Sequence, residues 1–176
     1  AGLAGSATLI PVRPVAAEIV AERLPTALTV SLAEQSSLAD HRSKQMSDNL
    51  TDAQVERLSQ LLGDAQRRIN SGDYAGAIAL YQQATQVDRA NPRLYSGIAI
   101  LQVKQGNFEA AAEYYRQALD RAPRNLSFRY GLAHSLFMNE RYDQAANAYR
   151  NLLDISPREA DAFIGLGGSL LRLENY

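Results

Sequence analysis

The feature that most constrains the fold is a stretch of about twenty residues that occurs in three similar copies. Its copies begin 34 residues apart, at Gly72, Gly106 and Glu140, and read GDYAGAIALYQQATQVDRAN, GNFEAAAEYYRQALDRAPRN and ERYDQAANAYRNLLDISPRE. Similar units fold in similar ways, and a unit of this size cannot bury its apolar face without neighbours. The sequence therefore predicts a linear array in which each unit packs mainly against the next.

At four positions of the unit, the same type of residue recurs every 34 residues, and we call each set of equivalent residues a column. They are an aromatic, an alanine, a tyrosine and a small or aliphatic column: Tyr74, Phe108, Tyr142 and Tyr176; Ala77, Ala111 and Ala145; Tyr81, Tyr115 and Tyr149; Ala84, Ala118 and Leu152. The small columns indicate helices that cross closely, and each tyrosine is expected to fill the gap against the next unit. The glycines that open the first two copies are suited to end a helix in the left-handed conformation. The third copy has Glu140 there, so its turn must close without that freedom.

The period and the residue types resemble the tetratricopeptide repeat, in the style of bacterial members, cyanobacterial ones among them, over about residues 58–176. The resemblance implies an all-α fold, a right-handed α-solenoid of antiparallel helix pairs. Units are expected at about 58–91, 92–125 and 126–159, with a partial unit at 160–176. They form an array over 51–176, whose first helix should begin at the capping box formed by Thr51 and Gln54.

Residues 1–50 lack the repeat pattern and are interpreted as a less regular N-terminal arm or linker. Residues 1–17 are small and apolar, so two interpretations stay open: the tail of an export signal or a flexible arm. The compartment is accordingly either the cytoplasm or an exported location such as the periplasm or a lumen. At the other end, Tyr176 falls at the start of a second helix, so the native protein is expected to continue.

The composition excludes several function classes. The net charge is -1, from 18 basic and 19 acidic residues without a basic stripe, which argues against nucleic acid as a partner. The chain has no cysteine and two histidines, so a metal site is not expected. No nucleophile, base and acid stand together in a pattern. The sequence therefore predicts no enzyme, no cofactor and no small-molecule substrate.

The resemblance implies that the first helix of each unit lines a concave groove, where family members usually hold peptides. The residues expected to line this groove are Leu62, Gln66, Arg93, Ile100, Lys104, Tyr130, His134, Phe137, Met138 and Arg172. Their pattern indicates an apolar floor with a mildly basic edge. The apolar floor also includes Val103. The alternative is that several floor residues, Val103 and Phe137 especially, only seal the helix pair, and His134 is interpreted as either groove-lining or packed.

Two functions compete on this evidence. The first is a scaffold or adaptor that binds a peptide or an amphipathic helix, within the assembly of a larger complex. The second is an accessory module of a bacterial envelope secretion or pilus machine, which would place it in a membrane-associated complex. A regulatory domain cut from a larger enzyme is a further alternative. Self-association is also considered, because the arm at 18–34 carries Ile19, Val20 and Leu24 on one short apolar face.

Overall fold

The computed structural model describes residues 50–174, and this part of the chain consists of helices joined by short turns. The expectations for residues 1–49, including the export-signal tail and the apolar arm, lie outside the described residues. The helices are α1 (Asp52–Asn70), α2 (Tyr74–Val87), α3 (Pro92–Lys104), α4 (Phe108–Arg121), α5 (Leu126–Met138), α6 (Tyr142–Ile155) and α7 (Ala160–Glu174). The described part contains no strand, and the predicted all-α solenoid of helix pairs is confirmed.

Polar side chains that satisfy free backbone N–H groups mark the starts of several helices. At the start of α1, the Gln54 backbone N–H donates to Thr51 Oγ1 at 3.3 Å, and the Thr51 N–H donates to Gln54 Oε1 at 2.9 Å. This is the expected capping box. The side chains of Asp73 and Asn125 accept from backbone N–H groups at the starts of α2 and α5 in the same way. The starts of these three helices are therefore encoded locally, whereas no side chain within the described residues caps the first backbone N–H groups of α4 or α6.

The turn inside each helix pair depends on one residue in the left-handed backbone region. Gly72 and Gly106 have φ values of 79° and 77°, and Glu140 takes the same place with a φ of 60°. In each turn the next residue donates its N–H back into the first helix, as Asn107 does to the Gln102 carbonyl at 2.9 Å. The third turn therefore closes without glycine, at a cost in backbone strain that glycine would not incur.

Replacing Gly106 with Ala is expected to lower the free energy of unfolding by about 1 kcal/mol. A Cβ at this position would meet nothing within 4 Å, so the backbone conformation alone opposes it. Gly63 is the matched control, because it lies inside α1 with its nearest neighbour 4.0 Å away. There the same substitution should stabilise the protein by about 0.5–1 kcal/mol. Urea denaturation of the two variants measures both effects, and equal signs would contradict the assignment.

Successive units are joined by a tyrosine that lies over a glycine of the next unit. The rings of Tyr81, Tyr115 and Tyr149 occupy the space where Gly97, Gly131 and Gly165, respectively, would carry a Cβ. In the first of these joints the built Cβ would be only 2.7 Å from the tyrosine ring. The expected role of the tyrosine column is therefore observed, and each ring needs a residue without a side chain opposite it.

The first helices form the inner side of the array. α3 contacts α5, and α5 contacts α7, more extensively than successive second helices contact one another. The stack therefore curves with the first helices on its inner surface. Ala111 and Ala118 of α4 are fully buried where the helices cross, as their columns predict. Within residues 50–174, no helix combines the length and the hydropathy that crossing a bilayer requires.

Candidate functional site

The inner surface lined by α1, α3, α5 and α7 is the candidate site, and we call it the groove. Of the residues predicted to line it, those that keep exposed surface are Leu62, Gln66, Arg93, Lys104, Tyr130, Met138 and Arg172. Three others, Ile100, His134 and Phe137, are buried, with exposed fractions of 6%, 5% and 8%. The groove is therefore shallower along α3 and α5 than the sequence pattern suggests. Its binding role stays a prediction.

Phe137 illustrates why part of the predicted floor is buried. Its ring packs edge-on against Tyr142 of the paired helix, with 5.5 Å between the ring centroids. On its other side it faces Gly168 of α7, where a Cβ would lie 3.5 Å from the ring. Phe137 thus seals three helices together, which is the structural alternative considered for it above.

Two cations of the predicted basic edge lie over aromatic rings of the array itself. Lys104 Nζ is 5.8 Å from the centroid of the Tyr74 ring, and Arg172 Cζ is 5.9 Å from that of Tyr142. Each cation follows its aromatic residue by 30 positions, and the unit between them has Met138 at the equivalent position, so the contact occurs in alternate units. At exposed sites such a contact stabilises by about 0.5–1 kcal/mol. The basic edge is therefore partly engaged within the fold.

Two buried polar atoms beneath the groove lack hydrogen-bond partners among the described residues. They are Nε2 of His134 and the hydroxyl oxygen of Tyr149, and the latter side chain is fully buried. Burial lowers the pKa of His134 to about 4, so its imidazole is neutral at pH 7. Burial, and then the neighbouring Tyr130 and Asp161, raise the pKa of Tyr149, so it too is neutral.

Tyr130 and Asp161 complete the surroundings of these atoms. The rings of Tyr130 and Tyr149 meet edge-on with 6.0 Å between their centroids. Burial raises the pKa of Tyr130, and the negative charge of Asp161 adds to this shift. Asp161 therefore lies close to both phenols. The sequence reading assigned Tyr149 to packing alone, since the repeat spacing predicts where its ring lies but not what its hydroxyl meets.

A family model described as the N-terminal tetratricopeptide repeats of the surface lipoprotein assembly modifier matches residues 44–149. The chain belongs to this family. A second model, for the tetratricopeptide repeat in general, matches residues 130–176. The predicted tetratricopeptide repeat is confirmed, whereas its bacterial style stays a prediction. Among curated proteins, none matches the chain significantly.

Solved tetratricopeptide structures share the fold at low sequence identity. The second such domain of human RPAP3, in complex with an HSP70 peptide, is 17% identical with a TM-score of 0.60, and the match covers 66% of this chain and 97% of that one. The Yersinia enterocolitica secretion chaperone SycD, in complex with a peptide of the translocator YopD, is 17% identical with a TM-score of 0.59, covering 67% and 95%. MamA RS-1 is 17% identical with a TM-score of 0.64, covering 72% and 68%. At these identities the matches establish the fold alone.

Proposed function

We propose that this array is a protein-interaction module that binds a peptide or an amphipathic helix in its groove. The observation that carries the proposal is the row of partly exposed apolar side chains along the inner surface, Leu62, Val103, Tyr130 and Met138. Such a row suits the apolar face of a bound segment. Two solved neighbours with the same fold hold peptides, which supports the same use here.

The proposal assigns binding, and not catalysis, to the chain. Tetratricopeptide arrays are generally non-catalytic interaction modules. Within residues 50–174, no group of three or more acidic, histidine or cysteine side chains could hold a metal ion. A regulatory domain cut from a larger enzyme would use the groove in the same way, so this alternative differs in context rather than in mechanism.

Replacing both Tyr130 and Met138 with Ala is expected to weaken peptide binding at least tenfold. Aromatic anchors in desolvated positions dominate interfaces of this kind, and losing one that contributes about 2 kcal/mol already weakens binding more than tenfold. Peptides selected from a random displayed library on the immobilised chain supply the ligand, and fluorescence anisotropy measures its affinity.

The matched control replaces Tyr114 and Leu153, an aromatic and an aliphatic residue on second helices that are also partly exposed. This double variant should bind as the parent does, because second helices do not line the groove. If the control loses binding while the Tyr130/Met138 variant keeps it, the working surface lies on the second helices.

The family match favours one setting for this module. We propose that it acts as an accessory repeat array in a machine that assembles surface lipoproteins, because the matching family model is described in those terms. In cells that encode this chain, the Tyr130/Met138 variant should lower the amount of lipoprotein accessible to protease at the cell surface. If this variant binds peptide poorly but the amount of surface lipoprotein stays normal, the chain is still an interaction module, but it does not act in lipoprotein assembly.

A further inference from the structure

The two unpartnered polar atoms beneath the groove need an explanation. A buried polar group without a hydrogen bond destabilises a folded protein, and most buried polar groups are therefore paired. Here His134 Nε2 and the Tyr149 hydroxyl are both unpaired within the described part of the chain, and their side chains are more than nine-tenths buried. Polar groups that a fold leaves unsatisfied in its own chain are candidates for ligand contacts.

Both side chains are neighbours of Tyr130, which lines the groove. Tyr149 reaches from α6 across Gly165 of α7, and its ring meets that of Tyr130 on α5. Tyr130 and His134 are four residues apart on α5, so they share one face of that helix. Tyr149 therefore packs beside Tyr130, and His134 lies about one helical turn from Tyr130 along α5.

We propose that His134 and Tyr149 form a polar subsite that receives an uncharged hydrogen-bonding side chain of the bound segment, from Ser, Thr, Asn or Gln. This inference rests on the proposed peptide-binding function of the groove. A phenol can donate and accept, and a neutral imidazole offers one donor and one acceptor. A hydroxyl or a carboxamide can satisfy such a pair, because each both donates and accepts.

The surroundings select against charged side chains. Asp161 lies near the phenols of Tyr130 and Tyr149, so its carboxylate repels an acidic ligand side chain. A cationic side chain would lose its hydration beside two neutral buried groups. Tyr130 is only partly buried and contacts the Tyr149 ring, so a change in its rotamer is the movement that admits the ligand.

Selection of peptides from a random displayed library tests the subsite, carried out in parallel on the parent and on the Tyr149→Phe/His134→Ile double variant. Tyr149→Phe keeps the ring, and Ile copies Ile100 at the equivalent position of the preceding unit. The parent should enrich Ser, Thr, Asn or Gln at one position between aliphatic anchors, and the double variant should enrich an aliphatic residue there. The best parent peptide should bind the double variant at least tenfold more weakly, and its Ser→Ala or Asn→Ala derivative should bind both proteins equally.

Each other outcome has a distinct meaning. If the selections on both proteins enrich the same apolar motif, the groove still binds peptides, but the proposed polar subsite is overturned. Enrichment of Lys or Arg would mean that Asp161 selects the ligand side chain at this position, which would also overturn the proposed subsite. Failure of every protein to enrich a peptide would instead remove the proposed function itself, and the subsite with it.

A measurement without ligand separates binding from folding. The Tyr149→Phe variant alone should melt at the same temperature as the parent or higher, because it removes only an unpartnered hydroxyl. A clear fall in melting temperature would mean that the hydroxyl has a partner within the fold, which overturns the proposal.

Discussion

Tyr115→Ala is expected to lower the free energy of unfolding by about 3–5 kcal/mol, the range for removing a fully buried aromatic side chain. Tyr115 is only 2% exposed and joins α4 to the next unit by lying over Gly131 of α5. Since a whole domain is stable by only about 5–15 kcal/mol, this loss should be evident in the midpoint of urea denaturation. A loss below about 1 kcal/mol would contradict the assigned joint.

The partner of Tyr115 gives a sharper form of the same test. In an ordinary helix interior, Gly→Ala stabilises by about 0.5–1 kcal/mol. At Gly131 the new Cβ would collide with the Tyr115 ring, so Gly131→Ala should instead destabilise the parent by about 1–3 kcal/mol.

In the Tyr115→Ala background the collision is gone, and Gly131→Ala should become neutral or stabilising. A double-mutant cycle measures this change of sign. Additive effects of the two substitutions would show that the ring and the glycine do not meet.

The second large effect is a loss of stability in mild acid caused by His134. Burial lowers the pKa of His134 in the folded protein to about 4, whereas the unfolded chain takes up this proton near its ordinary value of about 6.5. Protonation therefore favours the unfolded state, and stability is lost as the pH falls through this window. The expected loss is about 2 kcal/mol between pH 7 and pH 5, rising to about 3 kcal/mol near pH 4.

His134→Ile is the control for this prediction, since it removes the titrating group and leaves the others unchanged. Urea denaturation at several pH values should show a smaller slope for the variant between pH 6.5 and pH 4. Identical slopes for the two proteins would mean that His134 is solvated in the folded state.

The arrangement of helices could be predicted from the sequence because it follows from local, repeated chemistry. The columns of alanine and tyrosine identified the crossing points, and Glu140 was expected to close a turn without glycine, as its positive φ confirms. The repeat pattern did not predict that Gly131 leaves space for the Tyr115 ring, although the glycines at 97, 131 and 165 also keep the repeat spacing. The signal was present, but its meaning depends on which ring lies opposite.

The candidate site was less predictable, for a physical reason. Helical periodicity identifies the face on which a side chain lies, but not its depth below the surface. Phe137 is buried because its ring packs against Tyr142 of the paired helix and faces Gly168 of the next first helix. The unpaired state of the Tyr149 hydroxyl depends equally on three helices at once, so no local pattern could have revealed it.

The joint between units also bears on how such a chain can change length. Residues 92–125 carry Gly97, which receives the ring of the preceding unit, and Tyr115, which supplies a ring to the following one. A tandem copy of this segment would thus contain both a receiving glycine and a tyrosine ring. The units before and after it would meet the same kind of surface that they contact now. Gene duplication can lengthen the array by a whole unit without inventing any new contact, whereas a duplicated segment one residue longer or shorter would separate the ring from its glycine at the new joint.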